Sequence, residues 1–175
     1  MISITQKTLQ DLEFNTVLET IASRCNTDVG EAKAMAITPF KNKEELLINL
    51  KQTSEYLSSF SNNNAIPNHG FENINYELKF LAIEDSFLEV GSFKKIANLS
   101  ETAITLIQFL KKFEDYYPNL YQKASQIDIV KLILQRIDEV VDKFGIIKDN
   151  ASPDLNDIRR NINVVRGKIN QSFGM

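Results

Sequence analysis

Adjacent guanidiniums at Arg159 and Arg160, followed by Arg166 and Lys168, are the groups in this sequence best suited to holding a ligand. Planar, permanently charged forks fit phosphate oxygens, so these four could contact a nucleic-acid backbone or a partner protein. Arg159 also lies one residue from an apolar seam, where flank packing and an ion pair with Asp157 or with a partner helix is the ordinary role. The other reactive types do not converge. His69 and Cys25 stand 44 positions apart with no supporting acid nearby, and read as a loop histidine and a small buried or half-buried thiol. The pairs Glu44-Glu45, Glu84-Asp85, Glu114-Asp115 and Asp138-Glu139 suit helix caps and solvated faces. Tyr116-Tyr117 could stack on bases but suits a plug at a helix end. No GxxxxGK[ST] loop is present, and FGIIKD has one glycine and no phosphate-cradling context, so no catalytic, cofactor-binding or metal-binding residue is assigned.

Composition narrows the class. Twenty Lys and Arg against 23 Asp and Glu give a weakly acidic chain, which argues against strong nucleic-acid binding by the chain as a whole. The charge is uneven: residues 148 to 175 hold five cations against three acids, leaving fifteen against twenty before them. One cysteine excludes an internal disulfide and fits a reducing compartment, so the cytoplasm is expected. Neither a basic-then-apolar leader nor an apolar run of about 20 residues occurs, so no membrane partner is expected. At 175 residues the chain is one domain's worth, for which folding buries roughly 70% of the unfolded surface.

Six glycines and four prolines leave few breaks, and apolar residues recur at helical spacing, which predicts an all-α fold. A first helix is predicted from Gln6 to about Arg24 on the stripe Leu9, Leu12, Val17, Leu18 and Ile21. A second starts at Asp28 and stops before Pro39. A third is capped by Asn42, with Glu45 as capping-box partner, and carries Leu46, Leu50, Thr53, Leu57 and Phe60. Ile74, Leu78 and Leu81 mark a short helix, and SFLEV at 86 to 90 a brief extended piece. Gly91-Ser92 should cap a long helix bearing Ile96, Leu99, Ala103, Leu106, Leu110 and Phe113. A further helix, broken near Ser125, carries Ile129, Ile133, Ile137 and Val140, and Gly145 suits its left-handed C-cap.

After a turn at Asp149-Asn150, Ser152 is placed to cap, Pro153 to occupy the first helical position and Asp154 to complement the helix dipole. Leu155, Ile158, Ile162, Val165 and Ile169 then step 3, 4, 3, 4, the narrow seam of a coiled coil that wants one partner helix. With no proline stop behind it, and only Gly174 as a late cap, this helix reads as one cut short. The expected organisation is a helical domain over 1-150 and the start of a long helix over 151-175.

The segment IDEVVDKFGIIKDNASPDLNDIRR, residues 137 to 160, resembles the signature preceding the lever helix in the MutS-two family, the MutS paralogues with a C-terminal Smr domain. Ile137, Asp142, Gly145, Asp149, Ala151, Ser152, Pro153, Leu155, Ile158 and Arg159 carry the match. TLQDLEFNTVLETIA, GEAKAMAITP and LKQTSEY extend it over the whole chain. The resemblance implies an irregular MutS-type helical core ending in the start of a lever. It also implies a homodimeric parent that binds ATP and Mg and cleaves nucleic acid with residues outside this chain. Family members are associated with branched or recombination DNA, with suppressing recombination and, in some, with splitting collided ribosomes and contact with rRNA. For these 175 residues it implies a non-catalytic scaffold without a cofactor of its own. A stand-alone helical adaptor, recruiting a partner through its C-terminal heptad, is the alternative.

Overall fold

A computed structural model of the protein describes residues 4–174. Its elements are α1 (Gln6–Asp11), α2 (Phe14–Ala22), α3 (Asp28–Met35), α4 (Lys43–Ser58), α5 (Asn75–Leu81), α6 (Val90–Lys112), α7 (Pro118–Ala124), α8 (Lys131–Val140) and α9 (Pro153–Ser172). The fold is all-α, as the periodicity predicts. Among the described residues the extended pairing is one isolated antiparallel bridge between Val141 and Ile147; the SFLEV stretch is irregular until Val90 opens α6.

The chain forms two compact units, one of residues through Asn73 with Leu99–Ile129, the other of Ile74–Asn98 with residues from Val130 on. In the first, the predicted opening helix is two helices. Glu13 takes φ 50°, a left-handed conformation that nothing in its residue type announces, and the N–H of Leu12 closes α1 on Gln10 and Thr8. The break reorients α2 so that Leu18 and Ala22 are buried with Ala34 of α3, while Leu12 and Val17 face out. Thr27 caps α3 by accepting from the Gly30 N–H at 3.0 Å.

The core of this unit is Leu110, Tyr117 and Ala124, with Ile107, Phe109, Phe113, Leu120 and Tyr121 packed around them. Tyr117 is wholly buried. Its hydroxyl donates to the Asn64 carbonyl at 2.5 Å, and the Asn62 amide lies 3.1 Å away, so the plug expected of the Tyr-Tyr pair is Tyr117 while Tyr116 stays exposed. Helix α7 begins without a side-chain cap of its own. Glu55 of α4 supplies it: its carboxylate accepts from the backbone N–H of Asn119 at 3.0 Å and of Leu120 at 2.9 Å. Glu55→Ala strands those donors and is expected to cost about 1–3 kcal/mol, measured by urea unfolding.

Helix α4 forms where predicted, with Asn42 accepting from the Glu44 N–H at 2.8 Å, yet it is inverted. Gln52, Glu55, Tyr56 and Ser59 are covered, whereas Leu50, Leu57 and Phe60 stand 54, 60 and 73% exposed. Helix α5 of the second unit is inverted too: Leu78 and Leu81 are exposed and Glu77 is buried, 3.7 Å from the Lys95 ammonium. As a result the chain keeps 14022 Å² of accessible surface, against about 8,700 Å² for a compact 20.0 kDa monomer and about 29,000 Å² unfolded. Folding therefore buries about half of the unfolded surface rather than the roughly 70% anticipated, because apolar stripes on α4, α5 and α9 face outward.

Candidate functional site

The residues of the 137–160 signature build a joint at the base of α9. Helix α8 ends at Val140, earlier than the sequence suggests, and Val141 leaves it in an extended conformation to bridge Ile147. Asp142 organises the tight turn between them. Its Oδ1 accepts from the N–H of Phe144 and of Ile146, both at 2.9 Å, and its own N–H donates to the Ile146 carbonyl at 2.8 Å. Gly145 takes φ 80° in this turn, so its left-handed conformation is as predicted, but it serves a hairpin rather than a helix end. A Cβ there would also stand 3.4 Å from the Lys94 side chain.

The chain returns through Lys148, whose N–H donates to the Val140 carbonyl at 2.8 Å and whose ammonium donates to the Asp138 carbonyl. Asp149 and Asn150 turn the chain, with the Ala151 N–H on the Lys148 carbonyl at 3.1 Å. Ser152, extended at φ −146° and ψ 156°, accepts from the Leu155 N–H, and Pro153 opens α9 as expected. Ser152→Ala should cost about 1 kcal/mol, read as faster amide exchange in the first turn of α9.

Of the four cations singled out, Arg159 is engaged inside the joint. Its Nη1 donates to the Ile147 carbonyl at 3.1 Å and to the Asp149 carboxylate, so its acid is Asp149 and not Asp157. Arg160, Arg166 and Lys168 lie on the exposed length of α9. Arg166 borders an open apolar groove formed by Ile158, Ile162, Val165 and Ile169, all about half exposed. Arg160 flanks Asn156, Asn163 and Val164 on a more polar side. The four are therefore not one patch: Arg159 is spent on structure, and the rest are spread around the rod. The last helical residue described is Ser172, followed by Phe173 and by Gly174 at φ 67°.

The joint does not suit a nucleotide. A phosphate cradle needs several N–H groups converging on open space, and here those of Phe144, Gly145 and Ile146 all bond to Asp142. Among the described residues no group of three His, Cys, Asp or Glu could hold a metal ion. His69 sits in its loop with Nδ1 3.1 Å from the Pro67 carbonyl and Nε2 3.3 Å from the Tyr56 hydroxyl; Cys25 is half buried, its thiol on the Ile21 carbonyl. Sequence reasoning missed Glu55, Glu77 and the Asn62–Asn64 seat of Tyr117. Each acts across 15 to 65 positions, and no local pattern signals such a pairing.

No helix among the described residues is long and apolar enough to cross a membrane, and no family model matches the chain. Curated relatives do. The chain is 28% identical over 171 residues to endonuclease MutS2 of Alkaliphilus oremlandii, a match covering 94% of this chain and 22% of that protein. It is 25% identical to the same-named protein of Pelotomaculum thermopropionicum, over 95% of this chain and 21% of that one. For that of Staphylococcus aureus the identity is 26%, over 96% and 22%. The chain thus spans about a fifth of the length of the curated relatives it matches. The resemblance read from residues 137 to 160 stands: this chain is similar over nearly its whole length to about a fifth of the length of the proteins named endonuclease MutS2.

Proposed function

We propose that the chain is the helical core-and-lever piece of a MutS2-like, DNA-acting ATPase and endonuclease, and that it performs no chemistry itself. The observation that carries this reading is the joint. Its hydrogen bonds fix only the first turns of α9, while every described residue from Arg160 onward is exposed and the apolar seam faces out. A rod held rigidly at one end and bare along its length is suited to pass movement between distant parts of a protein. In this reading ATP with Mg and the nuclease centre belong to residues outside these 175. The parent is a cytoplasmic homodimer acting on branched or recombination DNA, or on the ribosome and its rRNA, and the seam of α9 is covered by a returning helix. The test is the reading frame beyond Met175: an in-frame GxxxxGK[ST] loop following a strand supports the proposal, and a stop codon ends it.

A stop codon would favour the second reading, the stand-alone adaptor, which the exposed seam of α9 also fits. Direct contact with nucleic acid is tested separately. If Arg160, Arg166 and Lys168 touch phosphate, neutralising all three should lower the salt slope of binding by about 2–3. Absence of DNA or RNA binding by the chain at low salt removes these residues, and Arg159 with them, as contacts.

A further inference from the structure

The geometry points to Arg159 as the strut that sets the direction of α9, with the Ile147–Asp149 limb of the hairpin as its abutment. Fixing a rod's direction takes two separated points of attachment. Helix α9 has one at its start, where Ser152 caps the first turn and Leu155 is half buried. Arg159 is the second, seven residues and about 10 Å further along at 1.5 Å per residue. From Arg160 to Gly174 every residue is exposed, so the segment supplies no third.

The abutment is itself immobilised. The Ile147 carbonyl that accepts from Arg159 belongs to the residue bridged to Val141, and Lys148 beside it is bonded through N–H and ammonium to the last turn of α8. Arg159 thus ties the second turn of α9 to the end of α8 through two acceptors, a carbonyl and the Asp149 carboxylate. A planar guanidinium holding two acceptors fixes an angle, which a point charge does not. The Asp149 side chain is 80% exposed, and such a pair adds little to stability. Its consequence is directional: without it α9 pivots on the Asn150–Ser152 turn, and a swing of about 20° moves the far end of a rod of roughly 30 Å by about 10 Å. That this rod is a lever rests on the proposed function; the strut does not.

The test uses the 175-residue chain carrying Cys25→Ser, with nitroxide labels at Gln135→Cys on α8 and Gln171→Cys near the end of α9, both exposed helical positions. Pulsed dipolar distance measurement should give a single narrow distribution. Arg159→Ala should shift or broaden it by about 10 Å, Asp149→Ala, which leaves the Ile147 carbonyl contact, by a measurable amount no larger than that, the double variant by no more than Arg159→Ala alone, and Arg159→Lys by less than Arg159→Ala. A broad distribution in the unaltered background overturns the strut, as does a distribution neither shifted nor broadened in either alanine variant or additive effects of the two. Broadening that comes with a loss of helical circular dichroism also overturns it, because α9 would then have frayed rather than swung. An unchanged distribution leaves the lever reading standing, whereas a stop codon after Met175 removes the lever and leaves the strut.

Discussion

Tyr117→Ala is expected to cost the first compact unit about 3–5 kcal/mol, read in urea titrations followed by circular dichroism. Tyr117 has no exposed surface and stands at the centre of the Leu110, Tyr117 and Ala124 core, against Phe109 at a ring separation of 5.9 Å. Truncating it empties the middle of a small core and leaves the Asn64 carbonyl without its donor. Domains hold only about 5–15 kcal/mol in reserve, and a chain that buries so little surface has no reason to exceed that range. Tyr117→Phe separates the two contributions. It keeps the ring and strands the Asn64 carbonyl, so a smaller loss of about 1–3 kcal/mol is expected. If the alanine variant shifts the midpoint no more than the phenylalanine variant does, the ring is not what holds this unit together.

The second large effect has opposite signs at the two ends of one ion pair. Glu77 is 3% exposed and its Oε1 lies 3.7 Å from Lys95 and 3.4 Å from the Ser92 hydroxyl, while Oε2 is buried with no hydrogen-bond partner. Removing the cation leaves a buried carboxylate without its counter-ion, and Lys95→Ala should destabilise the second unit by about 3 kcal/mol, the low end of such losses. The lysine side chain is 40% exposed, which is why the low end applies. Glu77→Leu fills the same space without an ion to desolvate, so it should be neutral or stabilising. Equal losses from the two variants would show that the pair is a net source of stability and would contradict this account.

The residues of the joint were legible because each acts locally. Gly145 offers a left-handed conformation wherever it is placed, and Ser152-Pro153-Asp154 marks a helix start through its own backbone chemistry. Misreadings cluster where distant groups decide. Gly145 reads as a helix end in the sequence because Asp142 and the Val141–Ile147 bridge, which make it a hairpin glycine, have no pattern of their own. Glu13 breaks the opening helix at φ 50° without any residue type that favours it. The sequence offers Arg159 an ion pair with Asp157, two positions away, or with a partner helix, and the fold gives it Asp149, ten positions away across the turn.

The sequence by itself determined that the chain is helical, where most helices start and stop, and that its best-marked helix carries a narrow apolar seam. Caps, turns and periodicity are short-range physics, complete within a few residues. Only the tertiary structure decided which faces are buried. Periodicity shows that a helix has an apolar side but not that this side is covered, and on α4 and α5 hydrogen bonds accepted by Glu55 and an ion pair at Glu77 turn the polar side inward. The direction of α9 is of the same kind, because an angle between elements is set by contacts such as Arg159 to Ile147 and Asp149, which exist only once the hairpin has closed.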